Sequence, residues 1–291
     1  MNKILIPIDF QKQSLLALEQ SYNLAHLLLA EIVLIYVHEQ SGMFTGIFTS
    51  DQNNEMLSKV DEKLAELAGK ASIASGIAIS YRIEKGRIYS RIIDVAKEIK
   101  AQYIIMGTHS SADEEAEEPR VGANTSRVIR SATCPVITLN TRHIYSGCRN
   151  ILLPMDLTKE TRQKVTIAIE LAKFYGAGIK VVSALWSKKD PVIVNKLYQQ
   201  GKQVIDFIAS AGIESTFEVV ESIGGEKTLV PSVLKYAEEQ GDIDLIIILT
   251  QQEIGIVEFF VGSHAQEFIR LSDIPVMSII PKELGITSIF S

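Results

Sequence analysis

The chain contains an internal repeat, and this repeat constrains its fold more than any other feature of the sequence. Lys3–Phe10 has the sequence KILIPIDF, and Asn150–Leu157 has the sequence NILLPMDL. Asp9 and Asp156 hold the same place in the two segments, 147 residues apart. Because self-similarity at a fixed separation marks a duplicated unit, the sequence predicts one domain that occurs twice.

The two copies account for almost the whole chain. Its 291 residues are enough for two domains of ordinary size. Near the ends of the copies the separation falls to 140 residues, as between Gly122 and Gly262, which indicates net deletions in the second copy. We predict domains over residues 1–141 and 149–282, joined by a linker at 142–148 that lacks apolar periodicity.

Each copy alternates short apolar runs with longer segments in which apolar residues recur every three to four positions. The runs indicate buried strands and the spacing indicates helices, and this alternation predicts an α/β fold with a parallel sheet. The predicted strands are Lys3–Ile8, Ile32–Val37, Ile77–Ile83, Tyr103–Met106, Val136–Leu139, Ile151–Met155, Ile179–Ala184, Ser215–Val220, Leu245–Leu249 and Val276–Ile280. The helices with two predicted ends are Ser14–Leu29, Met56–Ala74, Lys159–Tyr175, Val192–Ala211, Lys227–Gln240 and Gly262–Leu271. Two more helices begin near Gly86 and Gly122, and the polar segment Gly42–Asn54 is predicted to be a loop.

The segment Tyr103–Asn140 has the order expected of a phosphate site. A short strand ends in Met106 and Gly107, and a polar loop then leads to Gly122 and an amphipathic helix. In open α/β sheets, ligands bind beyond the carboxyl ends of the strands. A glycine there allows close approach of the backbone, and a helix N-terminus attracts anions. We call Gly107, the loop, Gly122 and the first turn of the helix the phosphate cradle.

Composition argues against several classes of protein. The net charge of −6 is not that of a general nucleic-acid binder. There is no uncharged apolar run of about 20 residues that would span a membrane, and the first ten residues do not resemble a signal peptide. The two cysteines, Cys134 and Cys148, do not imply a disulfide framework, and Cys134 is expected to be a buried, inert thiol. We therefore expect a cytoplasmic protein that binds neither nucleic acid nor membrane.

Met106-Gly107, Gly122 and the run from Cys134 to Ile137 resemble the signature of the universal stress protein family, whose nucleotide-binding members carry M-G-x2-G-x9-G-(S/T). This resemblance implies two Rossmann-like domains of the adenine nucleotide alpha hydrolase type. Each would be a five-stranded parallel sheet with helices on both faces. In single-domain members the last strands commonly pair across a dimer. A tandem chain would form the same pairing internally, as a pseudo-dimer, and a further homodimer stays open.

The resemblance also implies a set of site residues. In nucleotide-binding relatives the aspartate matching Asp9 contacts the nucleoside part of ATP, and Val37 matches a position that lines the adenine pocket. Met106, Gly107, Ser110, Gly122, Ala123, Asn124 and Thr125 would surround the phosphates, with Asp156, Gly262 and Ser263 as second-copy counterparts. Asp9 and Asp156 can equally stabilise a turn or cap a helix, Val37 can be a core residue, and Asn124 and Thr125 can be helix caps.

Both copies depart from the family pattern. In the first, Ser110 replaces a glycine, Ala123 removes a hydroxyl, and the loop is two residues longer and carries five carboxylates within Asp113–Glu118. In the second, Gly262-Ser263 match the pattern, but the strand-end glycine is interpreted as replaced by Thr250. The histidines form no recognisable metal motif. A divalent cation at the acidic loop is a minor alternative.

These departures favour a non-enzymatic stress-response sensor or interaction module in which ATP binding is weak or lost. The alternative is an ATP-binding switch or slow ATPase, motivated by the polar residues near Gly122 and by Gly262-Ser263. A third hypothesis is an adapter that binds a protein partner or another small molecule through the acidic loop and the Gly42–Asn54 loop.

Overall fold

The computed structural model describes residues 2–39, 50–108, 121–140, 147–155, 161–185, 191–250 and 262–280. In the first half, strands and helices alternate as the periodicity predicts. The strands are β1 (Asn2–Pro7), β2 (Ala30–His38), β3 (Ile79–Lys85), β4 (Tyr103–Gly107) and β5 (Val136–Leu139). The helices are α1 (Lys12–Leu28), α2 (Ser50–Ser75), α3 (Ile88–Glu98) and α4 (Ala123–Ser131).

The second half repeats this order. Its strands are β6 (Asn150–Pro154), β7 (Gly178–Leu185), β8 (Ser215–Glu221), β9 (Ile243–Leu249) and β10 (Val276–Ile279). Its helices are α5 (Thr161–Tyr175), α6 (Pro191–Ser210), α7 (Leu229–Gln240) and α8 (Gly262–Leu271), with a short 3-10 turn at Glu226–Thr228 before α7.

All ten strands form one sheet, in the order β3-β2-β1-β4-β5-β10-β9-β6-β7-β8. Within each half the strands are parallel. At the centre β5 and β10 pair antiparallel, with Ile137 opposite Met277. This seam confirms the predicted internal pairing of the last strands. It also places the carboxyl ends of the two half-sheets at opposite edges.

Helices cover both faces of the sheet, and each face has one apolar core that runs through both halves. On one face, Ile4 and Leu64 of the first half share a cluster with Ile151 and Met277 of the second. On the other face, α3, α4, α7 and α8 bury their apolar residues in a second cluster. The fold class predicted from the sequence is therefore confirmed.

Several predicted boundaries differ by one or two residues, and the start of α2 differs most. Helix α2 begins at Ser50, within the segment Gly42–Asn54 that the polar composition had assigned to a loop. Residues 50–54 contain neither glycine nor proline, and polar residues are tolerated in the solvent-facing turns of a helix. Residues 42–49 lie outside the described chain.

Candidate functional site

The first half has a topological switch between β1 and β4. The chain proceeds from β1 to β2 and β3 on one side and then returns to place β4 on the other. Asp9 follows β1, Val37 lies near the end of β2, and Met106 and Gly107 end β4. The fold therefore brings these predicted site residues to the sheet edge where ligands bind in open α/β folds.

Asp9 stabilises the turn between β1 and α1. Its carboxylate is exposed and accepts a hydrogen bond from the backbone N–H of Gln11 at 2.9 Å, the pattern of an Asx turn. Phe10 follows in the left-handed region at φ 63°. Its ring lies 5.9 Å from that of Tyr36, and the Nζ of Lys63 lies 5.8 Å from the ring centroid. The structure thus uses Asp9 in the turn, and Asp9 does not cap α1.

Gly107 is closely covered by helix α1. A methyl group built at Gly107 would lie 2.7 Å from Cβ of Gln13, and the Gln13 carboxamide oxygen would be 2.9 Å away. Packing against α1 therefore requires a glycine at position 107, whether or not a ligand binds there. The Gln13 side chain lies directly against Gly107 at the end of β4.

The first turn of α4 is tied to the end of β4. Gly122 is the N-cap of α4 and has φ −57°, which other residues also adopt. Its N–H donates to the Thr108 carbonyl at 2.8 Å, and the hydroxyl of buried Thr125 donates to the Gly107 carbonyl at 3.2 Å. Two donors of the proposed cradle are thus engaged within the protein.

The other candidates on α4 occupy less buried positions. Ala123 is exposed and Asn124 is half-buried. Val37 is half-buried and packs against the apolar cluster under α3 and α4. Arg127 places its guanidinium 5.1 Å from the ring centroid of Tyr89 and so links α4 to α3. This contact could not be predicted from the sequence, because it depends on the packing of α3 beside α4.

The second half corrects one assignment. The N–H of Thr250 donates to the Ile279 carbonyl, as the N–H of Thr108 donates to that of Leu139. Thr250 therefore corresponds to Thr108, and Leu249 occupies the place of Gly107. The sequence comparison was wrong by one residue because it lacked this strand register.

Two polar side chains at the end of β6 were also missed. Lys164 on α5 is 4% exposed, and its ammonium donates to the Pro154 carbonyl. Buried Ser183 donates to the Met155 carbonyl at 2.9 Å. At the repeat separation of 147, Lys164 corresponds to the apolar Ala17, and this exchange of a core alanine for lysine is visible in the sequence.

Several predicted features fall outside the described residues. Ser110, Asp156 and the acidic run Asp113–Glu118 are among them. Gly262 and Ser263 lie in the first turn of α8. Among the described residues, no group of three or more histidine, cysteine, aspartate or glutamate side chains is placed to hold a metal ion. A search of the same residues for a helix with the length and apolarity of a membrane span finds none.

Both cysteines are held as thiols. Burial raises the pKa of Cys134 to about 11. Burial, with a further contribution from the Asp244 carboxylate, raises the pKa of Cys148 to about 12, against an opposing effect of Arg149. Because thiolates are the reactive form, neither cysteine is suited to nucleophilic chemistry at neutral pH.

The raised pKa of Cys148 predicts a loss of stability in alkali. Above pH 9 the unfolded thiol releases its proton, whereas the folded thiol retains it until about pH 12. The unfolded state then binds fewer protons, so the free energy of unfolding falls with rising pH in this window, by at most about 1.4 kcal/mol per pH unit for one group. Urea unfolding of the wild type and of Cys148→Ala at pH 7, 9 and 10 measures this slope. Equal slopes in the two proteins would contradict the assignment to Cys148.

Comparisons with known proteins agree with this architecture. A model of the universal stress protein family matches the chain twice, over residues 1–140 and 147–279. A universal stress protein from Methanocaldococcus jannaschii is 29% identical over 140 residues, which are 47% of this chain and 81% of that relative. The crystal structure of a universal stress protein from Archaeoglobus fulgidus has a TM-score of 0.74 at 20% identity, over 97% of each chain. A functionally unknown protein from Pseudomonas aeruginosa has a TM-score of 0.65 at 17% identity, over 97% of this chain and 93% of the other.

Proposed function

Because this chain belongs to the universal stress protein family in both of its halves, we propose that it is a non-enzymatic stress-response sensor or interaction module with weak or lost ATP binding. It would act through protein partners, as a pseudo-dimer within one chain. One observation carries this proposal: two donors of the first cradle, the Gly122 N–H and the Thr125 hydroxyl, already bind groups of the protein itself.

The first half supports the proposal through the cost of freeing those donors. To bind a phosphate, the Gly122 N–H and the Thr125 hydroxyl would have to leave the carbonyls of Thr108 and Gly107. Each carbonyl would then lose that hydrogen bond in a partly buried place, at a cost of about 0.5–1.5 kcal/mol. The Gln13 side chain would also have to move from Gly107.

The second half supports it through steric bulk and internal bonding. Leu249, in the place of Gly107, adds a branched side chain where the family pattern has none. Lys164 and Ser183 are committed to the backbone at the end of β6. A ligand at this edge would meet groups that already serve the fold.

Calorimetric titration of the full chain with ATP and magnesium tests the proposal. We expect no saturable binding below millimolar ATP and no phosphate release above background. Gln13→Ala, which removes the carboxamide beside Gly107 but keeps Cβ, is expected to raise the affinity by about tenfold or less, because the closest contact of α1 with Gly107 remains. Gln199→Ala, an exposed glutamine on α6, is the matched control and is expected to change nothing.

Two experimental results would contradict the proposal. Micromolar affinity in the wild type that is lost in Asp9→Ala would overturn weak binding and favour an ATP-dependent switch. Phosphate release that disappears in Gly122→Val would identify a slow ATPase. A double variant that restores the motif, Ser110→Gly with Ala123→Ser, is expected to bind ATP more tightly than the wild type.

A further inference from the structure

A cavity of about 90 Å³ lies between α4 and α8, near the seam of the two halves. Asp9, Val37 and Gly107 do not line it. Its walls come from both halves and include Ser126, Ile129 and Arg130 of α4 and Ala265, Gln266 and Ile269 of α8. By the same measure one water needs only about 10–15 Å³, whereas sites for drug-sized ligands reach several hundred. The space therefore suits a molecule of a few heavy atoms.

The walls combine an apolar pair with polar donors. Ile129 and Ile269, which are 140 residues apart and correspond in the repeat, are both buried. Ser126 and Gln266 form a second corresponding pair that adds a hydroxyl and a carboxamide. Such a mixture of apolar walls and a few polar groups is the usual composition of small-molecule sites.

Arg130 is exposed and contributes a positive charge that forms no ion pair with any described residue. Its Nε donates to the Ser126 carbonyl at 3.3 Å, and its two terminal nitrogens make no hydrogen bond or ion pair with the described residues. A guanidinium with free terminal nitrogens can bind both oxygens of a carboxylate.

The strand beneath α4 and α8 carries a buried hydroxyl. Ser278 on β10 is 2% exposed, and its Oγ has no hydrogen-bond partner in the described part of the chain. Alternation places Ser278 on the same sheet face as Val276, which packs in one cluster with Ile129 and Ile269. The corresponding hydroxyl of Thr138 donates to the Val276 carbonyl at 3.2 Å. Ser278 does not line the cavity, so it marks a polar difference between the two halves on this sheet face and contributes no contact to the site.

We propose that the α4–α8 cavity binds a small organic anion, a carboxylate of about two to four carbons. The carboxylate lies at Arg130 with Gln266 and Ser126, and the hydrocarbon part lies between Ile129 and Ile269. This site uses none of the ATP-site candidates, so it is independent of the proposed function.

Titration with sodium butyrate, followed through the methyl signals of isotope-labelled isoleucines, tests the site without any nucleotide. Ile129→Val and Ile269→Val identify the two signals. We expect saturable shifts of both, and affinity at least about tenfold lower in Arg130→Gln because a charged hydrogen bond is lost. Arg127→Gln removes the same charge from the same helix outside the cavity and is expected to leave the affinity unchanged.

Sodium chloride at equal ionic strength and butan-1-ol separate the remaining explanations. Shifts that sodium chloride reproduces, or that never saturate, would overturn the site. Butan-1-ol binding as tightly as butyrate would overturn the role of the anion, as would unchanged affinity in Arg130→Gln with its fold intact by circular dichroism.

Discussion

Replacing Met277 with alanine is expected to lower the free energy of unfolding by about 3 kcal/mol, within the range for truncating a large buried side chain. Met277 is 0% exposed, lies opposite Ile137 across the seam, and packs in a cluster that includes residues of both halves. A cavity at this place removes contacts from the two halves together. Both are therefore expected to lose stability in one transition.

Two spectroscopic signals that report on different parts of the chain measure this unfolding transition. The one tryptophan, Trp186, belongs to the second copy, so its fluorescence follows that half, while far-UV circular dichroism follows the whole chain. In urea the two curves are expected to coincide and to shift together in Met277→Ala. Met56→Ala, at a 38% exposed position of α2, is the matched control, with an expected change within about 0.5 kcal/mol. Separate transitions would show that the halves unfold independently.

Gly201→Ala is expected to destabilise the protein by about 2 kcal/mol, although alanine is the better helix former by about 1 kcal/mol. Gly201 lies on the buried side of α6, where a built methyl group would be 2.5 Å from Cδ1 and 2.6 Å from Cζ of Phe217. The Phe217 ring also has an edge contact with Tyr198 at 5.9 Å. Its movement therefore disturbs the packing between α6 and β8.

The matched control variant is expected to change the free energy of unfolding in the opposite direction. Gly69 lies on the exposed side of α2, and a methyl group there would meet no atom within 4 Å. Gly69→Ala is expected to raise the free energy of unfolding by about 1 kcal/mol through helix propensity alone. Urea denaturation compares the two variants, and Phe217→Leu in the Gly201→Ala background is expected to recover part of the loss. A stabilising effect of Gly201→Ala would show that α6 can move away from β8 at little cost.

The sequence predicts the strands and helices well because each periodic pattern reflects local burial. Ile4 and Ile151 begin equivalent apolar runs, and both become central strand residues. The pairing at the seam was predicted from the family resemblance and the duplication. The largest difference is the start of α2, six residues earlier than predicted, since a polar turn carries no apolar signal.

Contacts between elements could not be predicted, because they depend on register and on which side chains approach. The covering of Gly107 by Gln13 requires the distance between α1 and β4. One pair of contacting positions also differs in chemistry between the halves. In the first half, the amides of Asn2 and Gln102 form a hydrogen bond of 2.8 Å. In the second half, the corresponding residues Arg149 and Asp244 form an ion pair at 2.9 Å. Sequence alone gave no reason to join these residues across about a hundred positions.

The antiparallel seam has a consequence for how the two halves can change. In a symmetric homodimer an interface must be self-complementary, and every substitution occurs on both sides of the axis. Here Thr138 binds the Val276 carbonyl and Asn140 donates to the Arg270 carbonyl, whereas Ser278, the counterpart of Thr138, has no hydrogen-bond partner among the described residues. Each contact exists once, so a substitution alters one side only. Joining the copies in one chain therefore frees each half to specialise while the other continues to hold the shared sheet.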